Sequence, residues 1–450
     1  MKRLFLLGTL MVMALQYGHA ETGSDSVNVT LQNARRTIGY KGALVVDGKT
    51  VTLKNKTLTA SAGNEIAVLV VNGGKLVLDH CTIQKTGDGI RSGGNGRRGQ
   101  GRPEMGGQRG QGRPEMNGQG RPEMGGQRGQ GRPGRPGGGG GGNADDNADD
   151  SFNFYGLNSA VVAVGEGSLI EMKGCTVTTD AEFANAVFSC DNAQVRITDG
   201  ITIRTAKNSS RGLYATCAGV IEAEGVVDID TKGAHCAALA TDRGGGTVTV
   251  GSPNTKHHSR LNTAGSGSPC IYSTGDITAY KASGAALVSQ TMVVEGKNTI
   301  TIEDCSFSGK SPKHGGVMLY QSTSGDAKEG TSVLSMKKCT LRDNSGTAMF
   351  LVTNTHSIVN MEDCTFLDPE GKPLSVDYPL VTCRNCNGDG HNWGREGSNG
   401  GQVELNLVNQ SLTGTLLANE TESVITIKTD KGSAKNNLRQ ANGKGSIYNR

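Results

Sequence analysis

TSVLSMKKCTLRDNS, residues 331–345, is answered downstream by HSIVNMEDCTFLDPE, residues 356–370. Each holds two short runs in which apolar and polar residues alternate, joined by a turn-like pair (Lys337-Lys338, Glu362-Asp363). Alternation with a period of two over four to six residues marks a short strand with one buried face. The same pattern is found in GGKLVLDHCTIQKTG from Gly73, EGSLIEMKGCTVTTD from Glu166, NAQVRITDGITIRTA from Asn192, AGVIEAEGVVDIDTK from Ala218 and KNTITIEDCSFSGKS from Lys297.

Between these units lies a third apolar run: NAVFSC, RGLYAT, CAALAT, PCIYST, TMVVEG, GVMLYQ and AMFLVT. The alanine-rich stretch GAHCAALATDRGGG, residues 233–246, therefore reads as a strand rather than a helix, because it fills the slot that RGLYATC fills one unit earlier. A unit recurring roughly every 22–34 residues signals a solenoid. Three strands per unit fit an all-β chain: one right-handed parallel β-helix of about a dozen three-strand coils, on the order of 55–60 Å long at the usual strand spacing. Ser24 to Gly48 is expected to cap its first end, residues 151–428 to form its body, and the polar residues 429–450 to trail off.

Residues 92–150 break the pattern. GRPEM occurs three times, a glycine run follows, and the segment ends in NADDNADD, residues 143–150. With almost no apolar residue besides methionine, this stretch cannot offset the entropy of folding and reads as a disordered insertion between coils. At the start, Lys2 and Arg3 precede a short apolar run, Leu4 to Leu15, and Gly18-His19-Ala20 supplies small residues before Glu21. Residues 1–20 are thus expected to be a signal peptide, and the protein to be exported to the periplasm, the cell surface or the medium. No second apolar run reaches membrane-spanning length. A net charge of +4 over 450 residues argues against a dedicated nucleic-acid binder. A monomer is expected.

The eleven cysteines cannot all pair within one chain. Cys81, Cys175, Cys305, Cys339 and Cys364 hold one fixed place in the repeat, which predicts a ladder of small buried thiols.

FYGLNSAVVA from Phe154, NSSRGLYAT from Asn208, GAHCAALATDRGGGT from Gly233, GSGSPCIYSTGDIT from Gly265, VVEGKNTI from Val293 and WGREGSNGG from Trp393 resemble the right-handed parallel β-helix, or pectin-lyase-like, superfamily. More narrowly, the chain is similar to secreted bacterial β-helix proteins of adhesin-like character. The resemblance implies the fold. It does not imply one activity, since lyases, hydrolases, esterases and adhesins share this scaffold.

Stacking would align the third-strand residues Arg211, Tyr214, His235, Asp242, Arg243, Tyr272, Glu295, Lys297, His314 and Tyr320 into an outward polar strip. Aromatic rings offer platforms to sugar faces, and charged groups bond hydroxyls or uronate carboxylates. Asp242 is expected to bond backbone amides in the TDRGGG turn, and Arg243 to be a surface contact of little weight for stability. For hydrolysis, Asp242 and Glu295 are the best carboxylate pair, two coils apart. A lyase would use a base such as Arg243 or Lys297, with Ca²⁺ as its ion; otherwise the residues call for no cofactor. Cys383, Cys386 and His391 have a zinc-like C-x2-C-x4-H spacing, but Glu396 stands where a fourth ligand belongs, so a disulfide or free thiols is the expectation. The sequence thus favours a surface or secreted β-helix that binds polysaccharide or a cell-surface glycan without catalysis. A uronate lyase or glycosidase and a plain stalk are the alternatives.

Overall fold

The computed structural model describes residues 24–90, 148–322, 326–386 and 400–450. These form short strands almost throughout, with one helix, Ala148–Tyr155. The strands assemble into three long sheets of 14, 13 and 10 strands, here the first, second and third. The chain visits them in turn: Ile66–Val71 lies in the first, Lys75–Asp79 in the second and Thr82–Thr86 in the third, and Val161–Val164 returns to the first. Pairing between successive visits is parallel and in register, as in Val187↔Leu213 and Val195↔Ile221. This all-β arrangement of stacked parallel sheets is consistent with a β-helix.

The register explains the sequence repeat. One apolar side chain per strand lines up along the first sheet, through Val161, Val187, Leu213, Leu239 and Ile271. A second file runs along the second sheet through Ile170, Val195, Ile221, Val248 and Ile277. The third sheet adds Ile83, Val177, Ile203 and Ile229. All three files belong to one continuous core. β-Branched residues dominate these files because they pack well on a pleated surface.

At its first edge the first sheet ends in an antiparallel hairpin, Asp25–Leu31 with Arg36–Asp47. The other end differs from expectation. Residues 429–450 do not trail away: Ala434–Gln440 and Ser446–Asn449 pair in parallel with Ser411–Ala418 and Val424–Thr429. Among the described side chains of these two C-terminal strands, Leu438 and Ile447 alone pack on the core, so the alternation was too faint to read. The insertion boundary also moves. The helix begins at Ala148, inside the segment read as insertion, and its aromatic residues anchor it: Phe152 stacks on Phe183 at 5.1 Å, and Phe154 and Tyr155 are buried. The signal-peptide reading of residues 1–20 and the insertion up to residue 147 lie outside the described residues. Among the described residues no helix is long and apolar enough to cross a membrane.

Candidate functional site

Strands of the second and third sheets alternate between buried and exposed residues, whereas several inner strands of the first sheet are buried on both faces. VVAV, VFSC, LYAT and MVVE are each buried at every position. The N-terminal hairpin and the helix cover the outer face of this sheet as far as Ala240, and Val293, Met318, Tyr320, Leu351 and Cys386 form a second buried cluster beyond it. The proposed polar strip lies on this face. It is therefore largely enclosed rather than outward and open.

Register places Phe188, Tyr214, Ala240, Tyr272 and Val293 side by side on the outer face. The tyrosine ring of residue 214 meets Phe188 edge-on, with centroids 5.0 Å apart, and carries the Arg211 guanidinium on its face at 4.6 Å. Two residues further along the strands, Asp242 and Glu295 occupy one register line. Two strand spacings separate their backbones, roughly 10 Å.

Each carboxylate is engaged from within the protein. Asp242 Oδ2 accepts from the Tyr214 hydroxyl at 3.0 Å, and Oδ1 from the Arg243 backbone N–H at 2.8 Å. Burial pushes the Asp242 carboxyl up to about 6, and the Arg211 charge offsets only part of that. Glu295 Oε2 accepts from Tyr272 at 2.5 Å and from Tyr320 at 2.8 Å, and Oε1 accepts from Ser322. Burial also raises the phenols of Tyr214, Tyr272 and Tyr320 well above their ordinary range, so all three donate as neutral hydroxyls.

Arg243 ties the cover down. Its guanidinium lies 3.9 Å from the Phe154 ring centroid and bonds Asp326 Oδ1 through Nε at 3.1 Å and Nη2 at 2.7 Å. Arg211 reaches Asn153 Oδ1 at 3.0 Å. Arg243 is thus a partly exposed side chain held by Phe154 and Asp326. The TDRGGG stretch is the expected exit turn. Gly244 and Gly245 have φ of 82° and 69°, and a Cβ on Gly246 would lie 2.9 Å from Ala215.

Arg211, Tyr214, Asp242, Arg243, Tyr272, Glu295 and Tyr320 thus come together. The other three strip residues stand apart. His235 is an exposed turn residue with φ of 57°, and the strand it was expected to begin starts only at Leu239. Lys297 is exposed and lies beside Gly330. His314 sits half-buried in the turn from Ser311 to Gly315. Cys383 and Cys386 are buried thiols, and His391 lies outside the described residues.

The third sheet carries the other polar feature. A groove of about 340 Å³ crosses four successive strands at their C-terminal ends, with Gln84, Thr178, Asp180, Arg204, Asp230 and Lys232 along it. Gln84, Thr178, Arg204 and Asp230 are register partners, one from each strand. Arg204 bonds Asp228 at 2.5 Å and Asp230 at 3.3 Å, and Arg260 on the next strand bonds the same two carboxylates at 2.7 and 3.0 Å. Lys85 lies in the floor. Its ammonium donates to the carbonyls of Ala62 at 2.9 Å, Gly87 at 2.7 Å and Thr86, and burial lowers it to about 8.

Comparison with known proteins finds no matching family model, curated protein or solved structure.

Sequence reasoning passed over Asn153, Phe154, Ser322 and Asp326. The FNFY run just past the segment read as insertion was the available signal for the first two, since a low-complexity linker has no use for clustered aromatics. Ser322 and Asp326 follow a strand in an unpatterned loop and carry no such signal. The third-sheet groove was legible only as alternating polar positions in QKT, TTD, RTA and DTK.

Proposed function

We propose that the three sheets close into a right-handed parallel β-helix of the pectin-lyase-like kind. The protein is exported or surface-exposed, and it binds polysaccharide or a cell-surface glycan without cleaving it. The observation that carries this reading is the third-sheet groove. It offers planar amide, carboxylate and guanidinium groups and hydroxyls at a repeat of about 4.8 Å, close to the length of one pyranose unit. Such groups bond sugar hydroxyls in pairs, and Lys232 supplies positive charge for uronate carboxylates. The absence of cleavage is supported by Asp242 and Glu295, whose four oxygens all accept hydrogen bonds from the protein itself.

A second reading rests on one observation. Asp242, raised to about 6, stands two strands from a second carboxylate, as the acid of an inverting glycosidase would. Affinity electrophoresis of the full chain in gels containing polygalacturonate or neutral glucan, with parallel assays for new reducing ends and unsaturated uronates, separates the readings. Retardation without products supports binding. Products that vanish in Asp242→Asn and Glu295→Gln establish the enzyme. Neither retardation nor products leaves the stalk.

A further inference from the structure

The eleven cysteines are free thiols in the structure, and all are buried. Two of them differ from the rest in how their backbones meet. Cys190 ends the strand Val187–Cys190 and pairs in register with Thr216, the last residue of the neighbouring strand. Cys217 follows at once, in the left-handed conformation with φ of 50°. It therefore lies one residue past its register partner, on the diagonal. One strand spacing and one residue step put the two Cα atoms about 6 Å apart, inside the range a disulfide spans. Both side chains lie in the same buried cluster on the outer side of the sheet.

The repeat-ladder cysteines are built otherwise. Cys81, Cys175, Cys305, Cys339 and Cys364 occupy equivalent positions, and each donates to the carbonyl two residues back and to one on the neighbouring strand. Cys339, for example, reaches Lys337 at 3.1 Å and Ile302 at 3.5 Å. In-register neighbours on parallel strands point the same way, so their Cβ atoms stay near the strand spacing, wider than a disulfide accepts.

We infer that Cys190 and Cys217 are joined by a disulfide when the chain folds under oxidising conditions. The oxidant is itself a disulfide, such as oxidised glutathione or a dithiol oxidoreductase. The Cys217 thiolate attacks one oxidant sulfur and expels a thiolate, forming a mixed disulfide. The Cys190 thiolate then attacks the Cys217 sulfur and expels the second thiolate. Two thiol protons leave, and the oxidant takes two electrons. Cys217 is the natural first nucleophile, because its contact with Cys190 holds its thiol below the ordinary range while that of Cys190 is raised. The step precedes docking of the N-terminal hairpin. Once docked, the backbone N–H groups of Gln32 and Asn33 bond Asp191 at 2.7 Å, and the Asn33 side chain bonds the Cys217 carbonyl at 2.9 Å, sealing the pair. The bond pins two strands of the first sheet beneath that hairpin.

The test is to refold the full chain in a glutathione redox buffer, block thiols under denaturing conditions without reductant, digest with trypsin and analyse by mass spectrometry. The expected product joins the peptide 174–196 to the peptide 212–232 in most molecules, with fragmentation placing the link on Cys190 rather than Cys175. The other nine cysteines carry the blocking group. Blocked Cys190 and Cys217, or a link from either to another cysteine, overturns the inference. As a second readout, reductant should lower the melting midpoint of the oxidised wild type by several degrees and leave Cys217→Ser unmoved; equal shifts in both contradict it.

Discussion

Asp242 shows how one buried charge sets a pH dependence. In the unfolded chain an aspartate ionises near 3.9, whereas burial in the fold raises Asp242 to about 6. The raised value means that its contribution to stability is fully present below about pH 4 and is lost as pH rises through 6. The loss is about 3 kcal/mol. Asp242→Asn cannot ionise. Denaturant unfolding of both proteins from pH 4 to 7 should therefore show the wild type losing ground to the variant by about that amount; a constant difference would exonerate Asp242. Asp242→Ala also strands the Tyr214 hydroxyl and the Arg243 N–H. Measured at pH 4, where ionisation is not at issue, it should cost about 1–2 kcal/mol. Arg243→Ala removes the contact with Phe154 and the pair with Asp326, and should cost about 1 kcal/mol. A thermal midpoint equal to wild type would leave Arg243 in the surface role first expected of it.

At the scale of the strand, the difference between the sheets was present in the sequence but open to two readings. Alternating runs such as TITIE declare one wet face. Continuous runs such as VMLY and FLVT bury both faces, as central strands covered on two sides do. Reading Tyr214, Tyr272 and Tyr320 as outward sugar platforms overlooked the apolar neighbours that share their strands. The cysteine ladder was easier to read, because one position in the repeat kept one residue type. Cys305, Cys339 and Cys364 are buried and hydrogen-bonded to carbonyls, and the thiol contact from Cys305, helped by burial, pushes Cys339 up to about 12. They should resist alkylation in the native protein and react after denaturation without reductant. Reaction only after reduction would show that they are paired.

At the scale of the whole molecule, the parallel sheets follow from a period that any local window repeats, which is why they could be read from sequence. The cover over the first sheet depends on contacts between residues far apart in the chain, such as Arg243 with Asp326 and Phe154 with Arg243. No local pattern encodes such pairs. The same holds for the groove, which exists only once four strands are stacked. The central claim is that glycan contact belongs to the third-sheet groove and that the enclosed Asp242–Glu295 cluster maintains the fold. The most direct measurement is affinity electrophoresis on polygalacturonate of wild type, Gln84→Ala/Lys232→Ala and Glu295→Gln, each first shown to be folded by its thermal transition. Retardation lost in the groove variant and kept in Glu295→Gln is the predicted result; retardation kept in the groove variant and lost in Glu295→Gln would contradict it.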